Sequence, residues 1–220
     1  MITVAIITNR KTPYFEPTRE ELAKHKSVET VIIAPEELGV TQRYPRERVI
    51  TIGMPGRGFA CLAGAYVARG EAVVFLHGDT VLPEGWYTAV SEALVDERVV
   101  GGAFRLAYDI ESAYLMFLES LSVLWFRLSG ELQGRRAIFA RTSALKRCLD
   151  ALNTPIMEDL QLSKCLRRHG RTVLLDQKVF TQADGYKKHG FVRHSLRSLA
   201  CRVSFFLGKQ PEIVYERYYR

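Results

Sequence analysis

Short apolar, β-branched runs alternate with helix-forming stretches along most of the chain, and this alternation constrains the fold more than any other feature of the sequence. Residues 3–8, 29–34, 48–52 and 72–76 read as strands. The last is a continuous apolar run, as expected of a strand covered on both faces. Thr18-Arg19-Glu20-Glu21 has capping-box spacing and predicts a helix to about Lys26. A turn over residues 54–58 leads into a helix that stops at Gly70. Pro83 suits the first position of another helix. Further on come a strand over 99–108, a helix over 111–128, a strand over 137–141, a helix over 157–169 closed by Gly170, and a strand over 171–175. Over 191–207 apolar residues recur at 192, 196, 199, 203 and 206, the spacing of one helix face. Strand, helix, strand in repeated order predicts an α/β, Rossmann-like, mostly parallel sheet with helices on both faces. The 220 residues suffice for one complete core, and no internal repeat or linker divides them.

Composition narrows the class. With 47% hydrophobic and 25% charged residues the chain is globular, which excludes disordered, collagen-like and coiled-coil readings. No apolar run reaches the roughly 18 residues needed to span a bilayer. The longest, 114–126, is interrupted by Glu119, Ser120 and Ser122. Residues 1–7 lack a basic flank and read as a first strand rather than a signal peptide. Cys61, Cys148, Cys165 and Cys201 form no Cys-x-x-Cys pair, so buried free thiols in a reducing, cytoplasmic compartment are expected.

The net charge of +7 is uneven: residues 186–220 hold eight Lys/Arg against two Glu, hence +6 of it. Two units follow, a sheet domain over 1–185 and a basic amphipathic helical segment over 186–220 packed on or beside it. Arg193, Arg197 and Arg202 beside the apolar stripe suit an anionic membrane surface at the inner face of a membrane. The alternative is that the stripe packs on the sheet and the arginines are solvated. The apolar helix over 111–128 allows a homodimer contact, a lipid groove or burial in the monomer. Charge without a reading motif or an aromatic platform gives no expectation of nucleic-acid binding.

In open α/β sheets ligands bind outside the carboxyl ends of the strands. There the apolar strand ends in His77-Gly78-Asp79-Thr80, where Asp79 could hold a hard divalent cation on a diphosphate; the alternative is a simple turn cap. Glu158 and Asp159 open a helix whose dipole favours ionised carboxylates, and one of them could act as general base toward an alcohol. Gly56-Arg57-Gly58, a glycine-rich turn feeding a helix, could receive an anionic group but lacks the spacing of a P-loop or dinucleotide fingerprint.

The order of Gly56-Arg57-Gly58, Ala63-Gly64-Ala65, Phe75-Leu76-His77-Gly78-Asp79-Thr80, Pro83, Gly101-Gly102-Ala103-Phe104-Arg105 and Met157-Glu158-Asp159-Leu160 resembles family-2 glycosyltransferases of the GT-A fold. Within them it is most similar to the small bacterial subgroup of radical-SAM/selenodomain-associated transferases. The resemblance covers roughly residues 53–190. It implies an inverting transfer of a sugar from a nucleotide-diphosphate donor to an acceptor hydroxyl, aided by Mg²⁺ or Mn²⁺. Asp79 would bind metal and diphosphate with His77 beside it, and Asp159 would be the catalytic base with Glu158 its neighbour. His189 would complete the metal shell, and Lys187 and Lys188 would neutralise the leaving diphosphate. The chain departs from the family at Thr8-Asn9-Arg10, at the Ile33-Ala34-Pro35-Glu36-Glu37 strand end without its base-gripping Asp, at Ala63, and at Arg135-Arg136 in place of an Asp-Gln pair. Two other readings follow from the residues: a nucleotidyltransferase, against which the glycine-free loop Asn9-Arg10-Lys11-Thr12-Pro13 counts, and a scaffold that binds a ligand or partner without turnover.

Overall fold

The computed structural model describes residues 1–219. Its strands are β1 (Ile2–Ile7), β2 (Val28–Ala34), β3 (Glu47–Thr51), β4 (Ala72–His77), β5 (Thr80–Val81), β6 (Val99–Tyr108), β7 (Phe139–Arg141) and β8 (Arg171–Thr181). They form one sheet in the order β3-β2-β1-β4-β7-β6-β8-β5. The first four run parallel. β7 is antiparallel to both β4 and β6, while β8 pairs parallel with β6 and antiparallel with β5. The α/β architecture is as expected, with a parallel half and a mixed half.

The helices are α1 (Phe15–Ala23), α2 (Arg57–Val67), α3 (Trp86–Ala93), α4 (Ala113–Ser129), α5 (Thr142–Leu145), α6 (Glu158–His169), α7 (Asp184–His189), α8 (Phe191–Phe206) and α9 (Pro211–Tyr219). Side chains alternate across a strand with period two. Ala5, Ile33, Val73 and Phe75 therefore face Ala60 and Ala65 of α2 and Leu162 and Leu166 of α6. Val4, Ile6, Ile32, Val74 and Leu76 face Phe15 and Leu22 of α1 and Trp86 and Val90 of α3. Both faces are covered, which is why these strands read as unbroken apolar runs.

Several local expectations shift. α1 begins at Phe15, so Thr18 lies inside the helix and makes no cap; burial of Phe15 against the sheet sets the start. α3 begins at Trp86 after Gly85 in the left-handed region, and Pro83 belongs to the preceding turn, its carbonyl accepting the Trp86 N–H at 3.2 Å. β8 runs to Thr181 because its register against β6 slips between Phe104 and Arg105, which lets Asp176 and Gln177 bulge out before pairing resumes at Lys178. Two of the cysteines are not free. Cys148 and Cys165 form a disulfide across a sequence separation of 17, drawn together by the packing of α6 on the turn that follows α5, whereas Cys61 and Cys201 are free and buried.

α4 and α8 leave most of their apolar side chains exposed and pack in part through polar groups. Of α4, only Leu115 and Glu119 are buried. Glu119 pairs with buried Arg136 at 2.5 Å and accepts the Leu106 N–H at 3.1 Å. α8 turns His194, Cys201 and Ser204 inward, while its apolar stripe at 192, 196, 199, 203 and 206 faces outward and does not pack on the sheet. Cys201 and Val214 of α9 join the C-terminal segment to Ile156, Met157 and Leu160. Among the described residues no helix is long and apolar enough to cross a membrane.

Candidate functional site

Two chain segments, the end of β4 and the start of α6, carry the candidate carboxylates. Gly78 follows β4, and a Cβ there would lie 2.5 Å from Thr8 Oγ1, so glycine admits the end of β1 against it. The Thr12 hydroxyl donates to the Gly78 carbonyl and ties the loop after β1 to this turn. That loop delivers Arg10, whose Nη2 lies 3.7 Å from Asp79 Oδ2 and 3.0 Å from Asp184 Oδ2. The other oxygen of Asp79, Oδ1, accepts from the hydroxyls of Thr80 at 3.2 Å and Thr181 at 3.4 Å.

Facing this turn, Met157 takes a left-handed φ of 64°, which for a non-glycine residue costs of order 1 kcal/mol. The turn is held because the Pro155 carbonyl accepts the Arg57 N–H at 3.1 Å and the Ile156 carbonyl accepts the Thr154 hydroxyl at 2.8 Å. It sends both Glu158 and Asp159 into the protein. Asp159 Oδ2 accepts the Gly134 N–H at 3.0 Å and Oδ1 the Leu160 N–H at 2.9 Å. Glu158 Oε1 lies 3.3 Å from Arg57 Nε, and its Oε2 is buried without a hydrogen-bond partner among the described residues. A Cβ on Gly134 would lie 3.5 Å from His77 Nε2, 3.6 Å from Glu158 Oε1 and 3.7 Å from Asp159 Oδ2. Three of the candidate side chains therefore converge on one side-chain-free spot.

Burial, then Arg57 and Arg135, hold His77 down to about 4, so the imidazole is neutral near pH 7. Glu158 is raised by burial and by Asp159, against the pull of Arg57. Burial would lower Arg57, but Glu158, with Tyr219 and Asp159, keeps it firmly charged. Arg135 also stays charged despite burial, in the field of Tyr108, Tyr218 and Asp79.

Other expected site residues lie elsewhere or do something further. A Cβ on Gly56 would meet Pro155 Cα at 2.6 Å, and one on Gly58 the Thr154 carbonyl oxygen at 2.0 Å. These glycines let α2 approach residues 152–155 backbone to backbone, and the group of this turn that reaches the site is the Arg57 guanidinium. Lys187 pairs with Asp109 Oδ2 at 2.8 Å and fastens α7 to the end of β6. Lys188 is exposed on α7, and His189 stacks on His194 at 6.3 Å between ring centroids. Asp79 and His189 belong to no set of three metal-capable groups: among the described residues the only such set within 4.8 Å is Cys148, Cys165 and His169, and its two cysteines are spent on a disulfide. Arg10, Gly134, Arg135, Thr181 and Asp184 were missed as site residues. Arg10 and Arg135 had left a signal, since both stand where the chain departs from the family pattern.

No protein-family model matches the chain, and no curated protein matches it. Among solved structures, S. aureus TarS 1–349 in complex with UDP-GlcNAc superposes with a TM-score of 0.63 at 14% identity, over 99% of this chain and 70% of that one. The complex of the same TarS chain with UDP gives 0.62 at 15% identity and the same coverage. The fold is the one these TarS structures share. A longer TarS chain matches with a TM-score of 0.58 at 14% identity, over 93% of this chain and 40% of its own length. In this GT-A-type fold Asp79 and Asp159 stand at the carboxyl end of β4 and the start of α6, where ligands of such sheets bind.

Proposed function

We propose that the protein transfers a sugar, with inversion, from a nucleotide-diphosphate donor to an acceptor hydroxyl. The observation that carries the reading is the convergence of His77, two residues before Asp79 in the chain, with Glu158 and Asp159 on the Gly134 backbone. The TarS structures in complex with UDP-GlcNAc and UDP support a nucleotide-sugar donor. The narrower likeness to the small bacterial transferase subgroup rests on the short motifs at 75–80 and 157–160 alone.

The oxygen donors suit Mg²⁺ or Mn²⁺: Asp79 Oδ2 and Asp184 Oδ2 both point at the place now taken by the half-exposed guanidinium of Arg10. A cation held there would offset charge on the departing diphosphate. A cation there would displace the half-exposed Arg10 toward solvent, and Arg135 adds fixed positive charge on the buried side. Asp159, oriented by two backbone N–H groups, accepts the proton of the attacking hydroxyl on Oδ1 or Oδ2. Arg57 pairs with the neighbouring Glu158, whose carboxyl is nonetheless raised by burial. Gly56 and Gly58 set the position of Arg57, and Lys188 remains available to the diphosphate.

The scaffold reading, binding without turnover, draws on Arg10 already pairing with Asp79 and on Lys187 being engaged by Asp109. Titration with UDP and GDP, with and without Mn²⁺, separates the two. Transfer predicts metal-dependent binding of one nucleotide, lost in Asp79→Ala, and donor turnover abolished in Asp159→Asn, with both variants melting as the parent does. Binding of neither nucleotide by the folded protein overturns transfer. The setting we propose is the cytoplasm; the Cys148–Cys165 pair stands against it, and thiol alkylation in intact cells reads whether that pair is reduced.

A further inference from the structure

We propose that α4 and α8 together form a docking face for an anionic lipid bilayer. The two helices lie side by side in the same direction: Tyr114 packs on Phe191 at their starts, with ring centroids 5.8 Å apart, and Glu131, just beyond α4, pairs with Arg202 near the end of α8. Each turns most of its apolar side chains outward. The α8 stripe Val192, Leu196, Leu199, Val203 and Phe206 is between 46 and 64% exposed, while the inward positions are histidine, cysteine and serine. α4 presents Met116, Phe117, Leu124 and Leu128 outward and is fastened by the Glu119–Arg136 pair instead. Two adjacent helices with outward apolar stripes form a patch of the kind that marks an interaction site rather than scattered surface residues.

Charge selects the occupant. Beside the stripe lies an open groove whose lining joins Val192 and Leu196 to Arg193, Arg197 and Arg217. Apolar side chains next to three guanidiniums match an acyl chain beneath an anionic headgroup. Arg197 is held in place by donating to the Arg217 carbonyl at 3.1 Å and by lying over the Tyr218 ring. A second copy fits less well, because residues 186–220 carry +6 of the +7 net charge and self-association would bring these segments together. The docking face does not depend on the transfer reading, so either can fail alone.

The test is co-sedimentation of the full chain with vesicles of phosphatidylcholine, alone or mixed with phosphatidylglycerol. The chain is expected to pellet with the mixed vesicles and to be released by salt. Arg193→Gln combined with Arg217→Gln should weaken that binding about tenfold or more, at the usual contribution of basic residues near an anionic surface. Leu196→Glu combined with Leu199→Glu should abolish it while leaving circular dichroism and melting unchanged, since both side chains face solvent. The proposal is overturned if the parent ignores both vesicles, or if the Leu196/Leu199 variant still binds. It is equally overturned if the parent is a dimer that this variant splits and neither form pellets, which would assign the face to a second copy.

Discussion

Glu29 accepts from the Thr3 hydroxyl at 2.7 Å, from Arg48 at 2.6 Å and from the Arg69 N–H at 3.0 Å, at the end of the sheet away from the candidate site. Burial alone would raise its carboxyl, but these donors outweigh it and hold it below the ordinary value of 4.5. A carboxylate lowered in this way adds stability that is fully present above pH 4.5 and is lost as pH falls through the folded value. Melting temperature should therefore drop on acidification below about pH 4.5, and Glu29→Gln should flatten that drop while lowering the melt at neutral pH. At this scale Asp79 and Asp159 were legible because their motifs are short and continuous. Arg10, Asp184 and Gly134 were not, because they meet the site only through contacts between segments distant in sequence: Thr12 with Gly78, Arg10 with Asp184, and Gly134 with Asp159.

Single elements divide along the same line. β1, β2 and β4 were readable because burial on both faces demands unbroken apolar runs. β5, α7 and α9 escaped because two-residue pairing and short charged helices leave no period to count. For α8 the stripe was legible but its direction was not, since periodicity marks a face without saying what it meets. The Cys148–Cys165 bond likewise has no spacing signature; it pins the middle of α6 to the turn after α5 and closes the loop that holds Met157, Glu158 and Asp159. By loop-closure entropy such a bond contributes about 3 kcal/mol. Cys165→Ser should shift urea unfolding by about that amount, and a dithiol reductant should move the parent but not the variant.

Across the whole molecule, the order of strands and helices carried the fold class, because a chain with this alternation has few ways to cover a sheet on both sides. The reversal of direction at β7 was invisible to that argument: an antiparallel strand of three residues between β4 and β6 has the same composition as a parallel one. The separation of charge from chemistry was visible in the sequence, with the carboxylates set in the sheet domain and the excess cations gathered beyond residue 185.

The polar inner face of α8 has a consequence for how the protein breathes. β1 and β4 lie between two apolar cores, whereas α8 offers His194, Cys201, Ser204 and a half-buried Phe205 to the body. Backbone amides of α8 should therefore exchange with deuterium through small local openings, while those of β1 and β4 exchange only with global unfolding. The flank bearing His194 and Tyr186 then opens first under native conditions. The strand and helix that hold Asp79 and Asp159 stay shut while it does.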